Sequence, residues 1–474
     1  MFKLNFDDTI AAISTPLGQA GIGIVRLSGK DALSIADKVF LAKGKKKASR
    51  VSTYTTHYGW IVNGSQGSRP KNDKRHEVID EVLLTVMRAP RSYTKEDIVE
   101  INCHSGIVPL RKILDLVLRS GARLAEPGEF TRRAFINGRI DLVQAEAVLD
   151  IIQSKTDQAF KVSVNQLKGE LSERITQIRE QLLEILAHIE AEINFPEEDD
   201  VKNVSYSSLQ KRIKKIETEL TQILNFAAEG KMLREGVSIA ICGRPNVGKS
   251  SLLNALIKKE KAIVTSIAGT TRDAVEDMVS VAGFPVRFID TAGIATPKDE
   301  VEKAAVKKSR ENIEEADIIL LLFDGSRHVT KKDRELIVEL KGKNIIFVVN
   351  KIDLGQKINL GKLQALCATK KIAKISALKK TGLSNLERNI TKRLFSHRAV
   401  HNEQILISNI RHIELLKSVK KSINQAQEAI EKALPEDFIA EELRLSLEDC
   451  DAIIGKNIKQ DLLDKIFSEF CIGK

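Results

Sequence analysis

Eight consecutive residues, Gly243-Arg244-Pro245-Asn246-Val247-Gly248-Lys249-Ser250, have the types and spacing of a loop that holds phosphate. Glycines let backbone N–H groups curl round phosphate oxygens, and a helix starting behind the loop adds the positive end of its dipole. Lys249 reaches the outer phosphates, and the Ser250 hydroxyl ligates magnesium. The setting fits, because apolar residues 237–242 precede the loop as a strand and Ser251-Leu252-Leu253-Asn254-Ala255-Leu256 follows as a helix. A chance glycine loop competes with this reading while the segment stands alone.

Further segments follow in the order such a site needs. Asp290-Thr291-Ala292-Gly293 closes the next core strand, so its carboxylate reaches the carboxyl edge of the sheet and holds magnesium through water. Between them, Thr265-Ser266-Ile267-Ala268-Gly269-Thr270-Thr271-Arg272-Asp273 is polar and without regular pattern, as expected of a loop that orders around magnesium and the terminal phosphate, with Thr271 as metal ligand. Taken singly, Asp-Thr-Ala-Gly also reads as a plain strand-end turn. Asn350-Lys351-Ile352-Asp353 and Ser376-Ala377-Leu378 follow two later strands. A carboxylate such as Asp353 accepts from guanine N1–H and the exocyclic amine, a donor pair adenine lacks, so GTP is the expected nucleotide. Ras-like GTPases orient the attacking water with a Gln after this Asp-x-x-Gly element. This chain has Ile294 there, and a hydrocarbon orients nothing. The nearby Asp299-Glu300-Val301-Glu302 offers a substitute, or else marks an acidic helix start.

The elements that must position these residues are legible in outline. From about 236 to 390 strands alternate with helices, at 237–242, 286–290, 318–323, 345–350 and 372–376, which implies a mostly parallel sheet covered on both faces. Residues 130–195 hold no proline and repeat apolar positions at helical spacing; further helical pattern covers about 207–229, 410–433 and 438–470. Pro196 breaks that pattern. The α/β unit therefore interrupts a helical domain assembled from both sides of it. Five of the ten prolines precede residue 128, among short apolar stretches such as 23–27 and 81–86 and a helical pattern at 107–119, which reads as a mixed α+β domain.

At 474 residues the chain has room for several domains, and 42% hydrophobic with 29% charged residues excludes a disordered chain. Lys plus Arg exceed Asp plus Glu by 75 to 64, a net charge of +11 that suits an anionic partner such as RNA or simply a Lys-rich surface. Five scattered cysteines without a CxxC pair argue against a disulfide framework or structural zinc. No run of 18 apolar residues and no signal-peptide core are seen, so a cytoplasmic protein without membrane contact is expected.

The phosphate loop with its Asn246, the 265–273 loop, the hydrophobic residue after Asp-Thr-Ala-Gly and the segment Phe470-Cys471-Ile472-Gly473-Lys474 together resemble the tRNA modification GTPase family MnmE, also called TrmE. Gly21-Ile22-Gly23-Ile24-Val25-Arg26-Leu27-Ser28-Gly29, Ser92-Tyr93-Thr94-Lys95-Glu96-Asp97-Ile98-Val99-Glu100, Pro127-Gly128-Glu129-Phe130-Thr131 and Asn137-Gly138-Arg139-Ile140-Asp141-Leu142 look like its other motifs, so the likeness spans nearly the whole chain. It implies a multidomain α+β protein: an N-terminal folate-binding and dimerisation domain (1–128), a discontinuous all-α domain (129–232 and 397–474) and an inserted Ras-like α/β G domain (233–396). The resemblance further implies a homodimer, an FAD-dependent partner of the MnmG type in a heterotetramer, and tRNA as substrate. The family places an aminomethyl or carboxymethylaminomethyl group on carbon five of the wobble uridine, using a tetrahydrofolate one-carbon unit and GTP hydrolysis.

By the same resemblance Asn246, with groups at Thr265, Ile267 and Thr270, ligates potassium, and Glu302 positions the hydrolytic water. Arg26, Glu100, Arg139 and Lys474 match folate-contacting positions. Cys471 either joins the modification chemistry or is a bystander thiol; a prenylation box is disfavoured by Gly473 and Lys474. Four positions depart from the family pattern: Arg139 stands for Lys, Lys95 and Ser105 for Gly, and Ala295 for Arg. An RNA-docking assembly GTPase without folate binding is the competing reading.

Overall fold

The computed structural model describes residues 7–44, 46–63, 77–195, 206–259, 278–281, 283–290, 311, 313–394 and 406–474. The N-terminal part is a sheet whose period-two pattern separates a core face from a polar one. Its elements are β1 (Ile10–Ile13), β2 (Gly23–Ser28), α1 (Ala32–Val39), β3 (Phe40–Ala42), β4 (Thr55–Asn63), β5 (Glu77–Met87), β6 (Ile98–Cys103), α2 (Ile107–Arg119) and β7 (Arg123–Leu124). The strand order is β3-β4-β5-β6-β2-β1-β7, antiparallel except for β1 beside β7. Val25, Leu27, Val99 and Ile101 point into the core under the two helices. Arg26 and Glu100, cross-strand partners on β2 and β6, are left half-buried on the other face.

The proline-free stretch after Phe130 is not one run of helix. It breaks into α3 (Glu129–Ile136), α4 (Leu142–Gln153), α5 (Asp157–Lys168) and α6 (Glu170–Asn194). Proline is only one terminator. Asp141 and Gln144 form a capping box that starts α4, Thr156 caps α5 through Ala159 N–H, and Gly169 (φ 98) ends it in the left-handed region. The next stretch likewise divides into α7 (Tyr206–Leu224) and α8 (Ala227–Glu235).

The inserted unit runs β8 (Val237–Gly243), α9 (Lys249–Lys259), β9 (Met278–Val281), β10 (Phe284–Asp290), β11 (Ile318–Asp324), α10 (Lys331–Glu339), β12 (Ile345–Asn350), α11 (Leu360–Leu366), β13 (Ile372–Lys374) and α12 (Leu383–Leu394). Its sheet order is β13-β12-β11-β8-β10-β9, parallel apart from the edge pair β9–β10. Both faces are covered, so β8 is apolar from Ile239 to Cys242: Ile239 and Ile241 enter one core, Ala240 and Cys242 the other.

The chain then returns as α13 (Ile410–Glu431), α14 (Glu436–Ile454) and α15 (Gln460–Ser468), the last two separated by Gly455 in the left-handed region (φ 86). One core joins Leu171, Ile178 and Ile185 of α6 with Leu416 and Ile423 of α13 and Cys450 of α14. The protein is thus multidomain α+β, with an α/β unit inserted into a helical bundle. No helix among the described residues is long and apolar enough to cross a membrane.

The two chain crossings into the inserted unit lie side by side. A Cβ on Gly230 of α8 would stand 2.0 Å from the Ile407 carbonyl oxygen, so only glycine permits this approach. Helix α4 holds both crossings by charge. Arg411 donates to Glu146 Oε1 (3.0 Å) and Oε2 (2.7 Å), with His412 Nε2 also 2.7 Å from Oε2. Burial alone would raise Glu146, but His412 and Arg411 hold its carboxyl down at about 2. Arg234 Nε lies 3.0 Å from Asp150 Oδ1, yet neither Asp150 oxygen has a well-aligned donor. Burial therefore wins over Arg234 and pushes Asp150 up to about 6.

A raised carboxyl pKa costs the folded state nothing below the unfolded value of 3.8; the penalty builds between 3.8 and about 6 and is complete above that. Asp150→Asn is expected to stabilise the protein at pH 7.5 by up to about 3 kcal/mol. The gain should fade as pH falls toward about 4. Thermal midpoints of both proteins across that range check it, and a pH-independent difference would contradict the assignment.

Candidate functional site

The phosphate loop is shaped by three residues with positive φ: Gly243 (149°), Asn246 (62°) and Gly248 (99°). Gly248 is required twice over, since a Cβ there would also lie 2.3 Å from the Asn350 side-chain nitrogen. Val247 is buried at the sheet edge and anchors the loop. Asn246, Ser250 and Ser251 lie at the start of α9, and all three are exposed. Lys249 Nζ donates to the loop's own carbonyls, Gly243 O at 3.1 Å and Arg244 O at 3.3 Å. Arg244 reaches Thr330 Oγ1 (2.6 Å) and Asp333 Oδ2 (3.1 Å), bracing the loop against α10.

Asn350, at the carboxyl end of β12 and 2% exposed, connects the base side to this loop. Its Nδ2 donates to Val247 O at 2.9 Å, and its Oδ1 accepts from Ala377 N–H at 3.0 Å. Ser376 is fully buried, accepts from Lys379 N–H at 3.1 Å and pairs with Thr381. Leu378 is exposed, and so is Asp353 on the short 3-10 turn Ile352–Leu354. The structure therefore gathers Asn246, Val247, Gly248, Lys249, Ser250, Asn350, Lys351, Asp353, Ser376 and Ala377 along one edge of the sheet. Asp290 ends β10 beside β8, which places its backbone at the same edge. Its side chain, and Thr265, Ser266, Ile267, Ala268, Gly269, Thr270, Thr271, Thr291, Ala292, Gly293 and Glu302, lie outside the described residues. Of the expected cation ligands, Asn246 fits: its exposed side chain makes no hydrogen bond among the described residues, while its backbone carbonyl is taken by Lys351 Nζ at 2.6 Å.

A second cleft lies on the polar face of the N-terminal sheet. Arg26 Nε donates to Glu100 Oε1 at 2.8 Å and Nη1 to Gly473 O at 3.3 Å, with the guanidinium 5.7 Å from the Phe130 ring centroid. The C-terminal segment is tied in by its backbone. Ser14 Oγ donates to Gly473 O (3.1 Å), Phe130 N–H to Lys474 O (3.2 Å), and Ile472 bridges Pro127. Burial, then the charge of Arg26, pushes the half-buried Lys474 amine below its usual range. Arg139 stands 4.9 Å from the Tyr93 ring centroid, and Tyr93 contacts Thr131 Oγ1 at 2.9 Å. Burial raises the Tyr93 phenol despite Arg139 and Arg26 nearby. Arg26, Glu100 and Lys474 thus share one cleft with Arg139 at its flank, and Cys471 is exposed on the same tail.

Lys95, standing where the family pattern has glycine, adopts the left-handed φ of 58°, and its Nζ donates to Gly138 O at 2.9 Å. Ser105 donates to Gly18 O at 2.9 Å. The aromatic walls Tyr93 and Phe130 and the carboxylate Asp324 were not singled out as site residues from sequence. Asp324 had a signal, an acidic residue closing an apolar strand like Asp290.

Residues 9–139 match the family described as the GTP-binding protein TrmE N-terminus, and residues 142–471 match the MnmE helical domain. The tRNA modification GTPase MnmE of Bacillus licheniformis is 47% identical over 467 residues, covering 98% of this chain and 100% of the relative. The protein of the same name from Ligilactobacillus salivarius is 46% identical over 469 residues, 98% of each chain. A solved structure of Aquifex aeolicus Era, a point variant bound to GDP.AlF4-, is 31% identical over 39% of this chain and 66% of that one, with a TM-score of 0.27. Identity at the level of the first two relatives, over 98% of this chain and with the inserted unit included, leaves one conclusion: the chain belongs to the tRNA modification GTPase MnmE family.

Proposed function

We propose that this chain hydrolyses GTP with potassium stimulation and, as a homodimer paired with an FAD-dependent MnmG-type partner, uses that hydrolysis to control aminomethyl or carboxymethylaminomethyl modification of the wobble uridine of tRNA. The observation that carries the reading is the coexistence, on one chain, of an assembled phosphate-and-base edge and a separate basic, aromatic-walled cleft. The division of labour follows the folate-binding domain 1–128, the helical domain 129–232 with 397–474, and the G domain 233–396. The scattered free thiols and a tRNA substrate support a cytoplasmic setting.

Asp353, exposed and without a hydrogen bond among the described residues, accepts from the guanine edge. Lys249 leaves the carbonyls of Gly243 and Arg244 for the outer phosphates, so loading straightens the loop's own lysine. Ser250 and Thr271 would hold magnesium, with Asp290 behind it through water. Asn246, with Thr265, Ile267 and Thr270, would hold potassium, which would supply positive charge against the negative charge developing on the outer phosphates. Glu302 positions the attacking water in place of the missing Gln. In the second cleft Arg26 and Lys474 attract the glutamyl carboxylates of a tetrahydrofolate. Glu100 accepts from pterin N–H groups through the oxygen that Arg26 leaves unbonded. Arg139 and Tyr93 close the flank.

Glu302→Ala and Asn246→Ala are each expected to lower kcat for GTP by about 10²-fold or more while leaving GDP affinity nearly unchanged. Unchanged turnover in both would remove this mechanism. Arg26→Ala should weaken tetrahydrofolate binding, read by calorimetry, by about tenfold or more without altering basal GTP hydrolysis. A wild-type chain that binds no folate would favour the assembly-factor alternative. Deleting the gene and measuring wobble nucleosides by mass spectrometry tests the whole reading, which predicts loss of the modified uridine.

A further inference from the structure

Strands β11 and β12 end level with one another, Asp324 pairing with Asn350 in register, so Asp324 stands at the carboxyl edge beside the nucleotide loops. Its side chain is 10% exposed. Oδ1 accepts from Ser326 N–H at 3.0 Å and Ser326 Oγ at 2.6 Å, which leaves Oδ2 aimed in one direction. That oxygen accepts from Lys351 Nζ at 2.8 Å, while the same ammonium donates to Asn246 O at 2.6 Å. Arg327 reaches Oδ2 only at 4.0 Å and is largely solvated. The turn itself is fixed, since Gly325 N–H bonds Asn350 O at 2.8 Å and Gly325 O accepts from Lys357 and Ile358 N–H.

The two residues that meet through this ammonium are both strained. Asn246 (φ 62) and Lys351 (φ 64) are non-glycine residues in the left-handed region, a conformation that persists only where surroundings hold it. Asn350 grips the phosphate loop one residue further on, at Val247. Lys351 is what grips Asn246.

We infer that Asp324 is a positioning residue for nucleotide retention: by orienting the Lys351 ammonium it holds the Asn246 peptide in its left-handed conformation, and so keeps the phosphate loop closed on a bound guanine nucleotide. It touches neither base nor phosphate and acts through Lys351. The inference rests on the nucleotide reading above and deepens it, adding a link between the base-recognition segment and the phosphate loop that does not pass through the ligand.

The test is a double-mutant cycle on the full chain, read as the dissociation rate of a fluorescent GDP analogue in sodium buffer without potassium. Asp324→Asn is expected to speed release about tenfold when Lys351 is present, as loss of a charged hydrogen-bond partner does. In the Lys351→Met background the same substitution should change the rate less than about twofold. An unchanged release rate, or an equal factor in both backgrounds, overturns the inference, because Asp324 would then not act through Lys351. If Asp324→Asn does not fold, Asp324→Glu, which keeps the charge but misplaces it, enters the same cycle: faster release only with Lys351 present supports the inference, and any other pattern overturns it. A wild-type chain that takes up no analogue overturns the nucleotide reading and the inference together, an outcome distinct from normal uptake with an unresponsive Asp324.

Discussion

A buried primary amide does the joining on which the nucleotide edge depends. Asn350 has no solvent to satisfy it, so it must place its nitrogen on Val247 and its oxygen on Ala377 or leave desolvated polar atoms behind. Those two contacts pull together segments 103 and 27 residues away along the chain. Replacing the amide with a hydrocarbon would orphan a carbonyl and an N–H at once. The glycine at 248 belongs to the same constraint, because the amide occupies the space where a Cβ would stand.

The second cleft obeys a different logic, that of the pleat. Arg26 and Glu100 are neighbours because β2 and β6 pair in that register, and they face away from the core because Val25, Leu27, Val99 and Ile101 claim it. A register slip of one residue would bury both charges. Aromatic rings flank this charged strip, Phe130 beside one guanidinium and Tyr93 beside the other.

Much of this was legible in the residues themselves, and what escaped did so for physical reasons. The glycine loop at 243–250, the strand-end segment at 350–353 and the parallel strands could be placed because such segments carry fixed residue types at fixed spacing. Short apolar stretches such as residues 23–27 marked the N-terminal domain as mixed α+β, while the gathering of Arg26, Glu100, Arg139 and Lys474 came from family resemblance rather than spacing. Helix ends inside residues 130–195 and 438–470 are not marked by the apolar pattern, for Gly138, Gly169 and Gly455 end helices by adopting positive φ. The edge strand Met278–Val281 went unseen because four alternating residues carry little signal. Asp324 was missed because its meaning lies in Lys351, a partner that only the fold brings near.

The insertion has a consequence for how this chain acquires its shape on the ribosome. Helices α6 and α7 emerge with part of their apolar surface unmatched, since packing partners on α13 and α14 are translated more than 170 residues after residue 235. The α/β unit between them needs no such wait. It therefore matures first, while its host stays open as an apolar groove exposed to chaperones and to neighbouring nascent chains. Contacts of this sequence separation also slow closure once synthesis ends. Guest before host is the order of assembly this topology imposes.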